Sequence, residues 1–177
     1  MKLKNKYGDM TNIIEPKAKQ LEALVPVYKE AFREHNVFTM PKKDIVDYLR
    51  ELHRSSWQKH GGFMIAIIND KVVGGLFVSL DDKSRKGHSR WRIQHLAVRK
   101  DARGLGIGDD LIGAAEEKIR KDIKNKNITS AKVQVKVSAK EKKAMPFYKK
   151  HGYKLEGKLA NHYRLREYCY ILGKLIK

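Results

Sequence analysis

The chain has 177 residues, 41% of them hydrophobic and 33% charged, a size and balance that suit one folded domain with one sizeable core and exclude a disordered chain. Lys and Arg number 39 against 20 Asp and Glu, a formal charge of +19, which favours polyanions such as phosphate-rich cofactors, nucleic acid or an anionic membrane surface, although lysines this evenly spread equally read as solvated surface. No stretch approaches the roughly eighteen apolar residues of a membrane span, and the opening MKLKNKYGDM has no apolar core of a secretory signal, so a cytoplasmic protein is expected.

In chain order, the first ten residues read as a loosely ordered lead. TNIIEPK (11–17) is a short strand ended by Pro16. Leu21, Leu24, Val25, Tyr28 and Phe32 recur at three- and four-residue spacing, which predicts an amphipathic helix over 17–34, kinked or started late by Pro26. EHNVFTMP (34–41) is a loop, and Ile45, Tyr48, Leu49 and Leu52 share one face of a second helix over 42–59. FMIAII (63–68) and VVGGLFVSL (72–80) flank Asn69-Asp70-Lys71 and predict an antiparallel hairpin. The polar loop 81–90 leads into a third strand, WRIQHLAV (91–98), then a glycine-rich segment and a helix to about Lys124. Val133, Val135 and Val137 alternate with Gln134 and Lys136 in a half-exposed strand over 130–138. A short helix over 141–152 is capped by Gly152, and YKLEGKL and YRLREYCYIL (163–172) close the chain as two strands. Cys169, the only cysteine, permits no internal disulfide or thiolate zinc cluster and is expected as a small buried strand side chain. The order β-α-α-β-β-β-α-β-α-β-β predicts a single α/β domain, residues 1–177, with a mixed sheet and helices on both faces. No histidine spacing suggests a metal.

The segment VRKDARGLGIGDDLIGAAEEKIR (98–120) carries the chemistry. Gly104, Gly106 and Gly108 remove the Cβ atoms that would keep an anion away and permit positive φ at a helix start, where free N–H groups and the helix dipole favour negative charge. Arg103 adds a cation. Ile107, Leu111, Ala115, Ile119 and Ile123 recur every four residues and anchor the helix to the sheet. The segment therefore reads as a phosphate or diphosphate site. It is not a P-loop, because no Gly-Lys-Ser/Thr follows, and a dinucleotide fingerprint starting at Gly104 would put its third glycine at Asp109.

Arg103-x-x-Gly106-x-Gly108, straight after the strand IQHLAV, resembles the [Q/R]-x-x-G-x-[G/A] motif of the GNAT superfamily of acetyl-CoA-dependent N-acetyltransferases. AMPFYKKHGYK (144–154) is similar to the family's A-x-x-F-Y-x-x-x-G-[F/Y] segment. The resemblance covers most of the chain in the family's element order. It implies a mostly antiparallel sheet splayed at the cofactor, and transfer of acetyl from acetyl-CoA to an amine. The backbone of Leu96, Ala97 and Val98 would pair with the pantetheine arm and donate to the carbonyl oxygen, and Arg103, Gly104, Leu105, Gly106, Ile107 and Gly108 would hold the diphosphate. Ser138 stands where the family often has a cofactor-touching Asn. Tyr148 would contact the cofactor and act as general acid to the thiolate, with Phe147 beside it pointing into the core. The family's central-strand Glu is absent. His95 is the candidate base there, although alternation places it with Ile93 and Ala97 unless a bulge turns it. Gln94 could only position a water, and Glu34, Asp81, Asp82 and Glu167 are carboxylates with nothing to separate them. The acceptor, small molecule or protein, would border loops 34–41 and 81–90 and the last strands. A monomer or homodimer is expected, with no membrane partner. Two other readings stay open: a non-catalytic acyl-CoA sensor, and a basic nucleic-acid-binding module using KIRKDIKNKN (118–127) and KEKK (140–143).

Overall fold

The computed structural model describes residues 2–4, 10–57, 61–82 and 87–177. The fold is mixed α/β, and the chain gathers into two compact units, Met1–Ser79 with His95–Lys118, and Leu80–Gln94 with Ile119–Lys177.

In the first unit, strands β1 (Lys2–Lys4), β2 (Met10–Ile14), β3 (Gly62–Ile68) and β4 (Lys71–Asp82) pair antiparallel in chain order. Within the expected loose lead, residues 2–4 find backbone partners at 10–12 of β2, and residues 5–9 lie outside the described residues. The β3–β4 hairpin turns through Asn69 and Asp70 at φ 47° and 61°, the left-handed pair that a two-residue turn needs and that Asn and Asp tolerate. The expected helix 17–34 is two pieces, a 3-10 segment Ala18–Leu24 and helix α1 (Val25–Ala31). Pro26 sits in the first turn of α1, where its missing N–H leaves no helical bond unmade. Helix α2 spans Lys42–Trp57, and the expected extension to 59 lies outside the described residues. Leu21, Leu24, Val27, Tyr28, Phe38, Ile45, Leu49, Phe63 and Ile65 are buried together as the core of this unit, each large side chain contributing about 1.5–3 kcal/mol by leaving water.

Strand β5 (His88–Val98) and helix α3 (Ile107–Asn125) contribute residues to both units. Within the first, Ile107, Leu111 and Ala115 are buried, as their four-residue spacing predicts. Gly74 makes room for them: a Cβ there would lie 3.0 Å from the Ala97 carbonyl oxygen, 3.2 Å from Leu111 and 3.3 Å from Ile107. The missing side chain lets β4, the end of β5 and the start of α3 approach one another, which places the glycine-rich turn.

In the second unit, β5 pairs parallel with β6 (Ser130–Ser138) from His88↔Ser130 to Ile93↔Val135. Strand β6 pairs antiparallel with β8 (Tyr168–Ile176), and β8 with β7 (Lys154–Ala160). Val133, Val135 and Val137 face inward with Trp91, Ile93 and Leu172, and Cys169 is buried in its strand as expected. Strand β8 begins five residues later than YRLREYCYIL suggests. Asn161 and Arg166 take φ 55° and 64°, and Asn161 Oδ1 accepts the Arg166 amide at 2.6 Å, so 161–167 is a closed turn. Among the described residues no helix is long and apolar enough to cross a membrane.

Candidate active site

The site begins where β5 stops behaving as a strand. Its parallel register ends at Ile93, and two residues on His95 takes φ 53°, a left-handed conformation that a non-glycine residue seldom adopts. Burial, which alternates from Ser89 to Ile93, loses its period at Gln94, His95 and Leu96. The break that the alternation would need in order to turn His95 is therefore present. Beyond it Ala97 is buried while Leu96 and Val98 are half-buried. Arg99 donates its amide to Val73 O at 2.8 Å, fixing the far end of the break to β4.

The turn that follows has the geometry of an anion cradle. Gly104 and Gly106 sit at φ 80° and 85°, and a Cβ on either would meet nothing within 4 Å. Their glycine identity is thus a matter of backbone conformation and of open space on the outer side, not of crowding by the protein. Asp110 N donates to Gly106 O at 3.0 Å, which closes the first turn of α3, and the amides at a helix start point out of the helix end toward whatever lies ahead of it. Gly108 lies in the first turn of α3, and Leu105 is half-buried. Arg103 closes the loop, with Nε donating to Val98 O at 3.0 Å. Arg99 holds Asp101 through two bonds, at 3.1 and 2.5 Å, and Lys100 N donates to Glu30 at 2.6 Å. Residues 99–110 hold three basic and three acidic side chains. An anion would be held by oriented amides and local cations, not by net charge. A diphosphate fits this donor set.

His95 is enclosed. Its ring lies 5.2–6.1 Å, centroid to centroid, from those of Tyr28, Phe32, His35, Phe38 and Tyr48. Tyr48 Oη on α2 stands 2.9 Å from Nε2, within a hydrogen bond. Burial first, and His35 beside it second, push His95 down to about 4, so the imidazole is neutral near pH 7 and a weak proton acceptor. The unfolded chain holds a proton on it up to about pH 6.5. Its contribution to stability is therefore complete above that value and is lost as pH falls toward 4, with a slope of at most ~1.4 kcal/mol per pH unit. Urea unfolding at about pH 7.5 and about pH 5 should show this loss, and His95→Gln should flatten it; equal pH slopes in the two proteins would count against the assignment.

The residues predicted from the second motif lie in the second unit. Helix α4 spans only Ala144–Lys150, with Lys143, Pro146, Lys149 and Lys150 exposed, so its inward direction falls on position 148. Tyr148 is 8% exposed and packs 5.6 Å from Tyr153. Phe147 is half-buried against Tyr148 and His151, at 5.2 and 4.8 Å, which corrects the expectation that it is the core residue of the pair. Burial pushes the Tyr148 phenol well above its ordinary range, with Glu141 and Tyr163 adding to the effect. It stays protonated and able to donate.

Ser138 donates its hydroxyl to Glu167 and accepts the Lys140 amide at 3.1 Å, so its oxygen is engaged within the protein. Glu167 also accepts from Arg164 at 3.0 Å with 4% of its side chain exposed. The Ser138 bond first, and Arg164 next, hold its carboxyl below the usual range. The structure thus separates the carboxylates that the sequence leaves equal: Glu167 is buried and bonded, Asp81 is paired with Arg92 at 2.5 Å, Glu34 is exposed, and the Asp82 side chain lies outside the described residues. Sequence reasoning missed His35, Glu141 and Tyr163, which sit in irregular segments without a period. It read Tyr48 only as one more residue on a core face.

A model of the acetyltransferase (GNAT) domain matches residues 59–155, more than half of the chain. Among solved structures, Ard1 from Thermoplasma volcanium is similar at 24% identity, over 94% of this chain and 98% of that one, with a TM-score of 0.67. Arabidopsis thaliana Naa50, in complex with the bisubstrate analogue CoA-Ac-MVNAL, is similar at 23% identity over 93% and 97%, with a TM-score of 0.70. The putative acetyltransferase yncA from Salmonella typhimurium, with its cofactor acetyl-CoA, shares the fold at 10% identity over 94% of each chain, with a TM-score of 0.69. No curated protein matches the chain.

Proposed function

The chain belongs to the acetyltransferase (GNAT) family, and on that premise we propose that residues 1–177 form a single cytoplasmic N-acetyltransferase domain that passes acetyl directly to a primary amine of a small molecule or a protein. The observation that carries this reading is the turn after β5: two glycines in left-handed conformation, open on their outer side, ahead of the N-terminus of a 19-residue helix. Acetyl-CoA, when bound, supplies the thioester acetyl group and a thiolate as leaving group.

The chain's own residues divide the work. Gly104 to Gly108, with Arg103, hold the diphosphate on backbone N–H groups. The Leu96–Val98 backbone, past the break at His95, lines the pantetheine arm and offers an N–H to the carbonyl oxygen as charge develops there. Tyr148, kept protonated by burial, would donate a hydrogen bond to the sulfur as it gains negative charge. His95, neutral and enclosed by aromatic rings, serves better as a fixed part of the wall than as the base. Ser138, bonded to Glu167, orders the end of β6.

Titration of CoA by calorimetry, followed by a thiol-release assay over small amines, polyamines and peptides, tests the reading. CoA binding with amine-dependent thiol release is the expected result. Binding with release no faster than hydrolysis indicates a sensor, and salt-sensitive RNA binding without CoA binding indicates a nucleic-acid module; either outcome overturns the enzyme.

A further inference from the structure

We propose that Tyr48 is a positioning residue for the cofactor: its hydrogen bond to His95 holds β5 in the left-handed kink that frees the backbone of Leu96–Val98 for the pantetheine arm. The proposal rests on the acetyl-CoA reading above and goes beyond it by assigning a residue on α2, outside both sequence motifs.

The kink needs a restraint. A left-handed residue with a side chain costs about 1–2 kcal/mol over an extended one, and His95 at φ 53° has no glycine beside it. Left alone, the strand would relax to extended backbone and regain its alternation. The segment after His95 is held at its far end, where Arg99 N donates to Val73 O at 2.8 Å.

Tyr48 Oη reaches His95 Nε2 at 2.9 Å from α2, inside a wall of Tyr28, Phe32, His35 and Phe38. Such a bond contributes about 0.5–1.5 kcal/mol net, comparable with the cost of the kink. Removing it therefore shifts the balance between kinked and extended strand without unfolding a core that the remaining rings still fill. The effect is delivered downstream, because Val98 O is also the acceptor for Arg103 Nε at 3.0 Å, which ties the kinked segment to the diphosphate turn.

The test uses the full chain with Tyr48→Phe, which keeps the ring and removes the hydroxyl, and His95→Asn, which keeps the tolerance for left-handed backbone and removes the imidazole. Tyr48→Phe should weaken CoA about three- to tenfold by calorimetry. The KM for acetyl-CoA should rise similarly, with kcat within about twofold. In cofactor-free protein, the amide NMR signals of Leu96–Val98 should move while those of β2 and β3 stay. In the His95→Asn background, Tyr48→Phe should have no further effect on CoA affinity. CoA affinity unchanged in Tyr48→Phe, or equal losses with and without His95, would overturn the proposal whatever happens to the melting temperature. Wild-type protein that fails to bind CoA would instead overturn the acetyltransferase reading, and the amide signals, recorded without CoA, tell the two failures apart.

Discussion

Replacing Tyr148 by phenylalanine is expected to lower kcat for acetyl transfer by about ten- to a thousand-fold at saturating acetyl-CoA. The hydroxyl is the one group lost; the ring keeps its packing against Tyr153 at 5.6 Å, so the melting temperature should stay within a few degrees. The size of the effect follows from the surroundings. Burial, with Glu141 and Tyr163 close by, raises the phenol above its ordinary range, which makes it a reluctant acid but a permanently protonated donor. A hydrogen bond from it to a sulfur gaining negative charge would be worth on the order of a hundredfold in rate without completed proton transfer. The raised phenol also predicts that the rate shows no alkaline limb from Tyr148 below about pH 10. An unchanged kcat would remove Tyr148 from the chemistry and leave it as a core residue of α4.

Gly106→Val should abolish most CoA binding. At φ 85° a β-branched residue pays roughly 1–3 kcal/mol of backbone strain. The protein meets that cost in one of two ways. If the turn keeps its shape, stability falls by that amount and the new side chain projects into the open space where the diphosphate would lie. If the turn relaxes, the backbone at the start of α3 would no longer be set for the proposed diphosphate. Either way calorimetry should read a loss of about ten- to a hundredfold in CoA affinity, since each tenfold corresponds to ~1.4 kcal/mol. Gly106→Ala should do the same more weakly, because alanine tolerates the conformation better than valine. CoA binding at wild-type affinity in Gly106→Val would show that the diphosphate sits elsewhere, and the proposed function would go with it.

The pair of substitutions also shows how unevenly the site is written along the chain. The glycine turn and the helix after it were legible because everything that makes them is local: Arg103, the alternate glycines and the four-residue spacing of Ile107, Leu111 and Ala115 lie within one strand–turn–helix passage. The β3–β4 hairpin was legible for the same reason, its turn being carried by Asn69 and Asp70 alone. Tyr148 was singled out by resemblance alone, and the direction of its neighbour was misread. In a helix as short as α4, which of Phe147 and Tyr148 is buried depends on what packs against it, here Tyr153.

His95 marks the limit most clearly. Strand alternation places it with Ile93 and Ala97, and its ordinary pKa makes it the candidate base. Its actual state is decided by rings from positions 28, 32, 35, 38 and 48, and these remove the water that would stabilise an imidazolium. The separation of Glu167 from the other carboxylates likewise needed Ser138 and Arg164 to reach it. Backbone preference, period and capping are properties of neighbours in sequence, so the amino-acid order by itself determined most of the elements and the glycine turn. Desolvation and hydrogen-bond partnership are properties of neighbours in space, so only the tertiary structure decided which side chains are charged, which are held, and which remain able to give a proton.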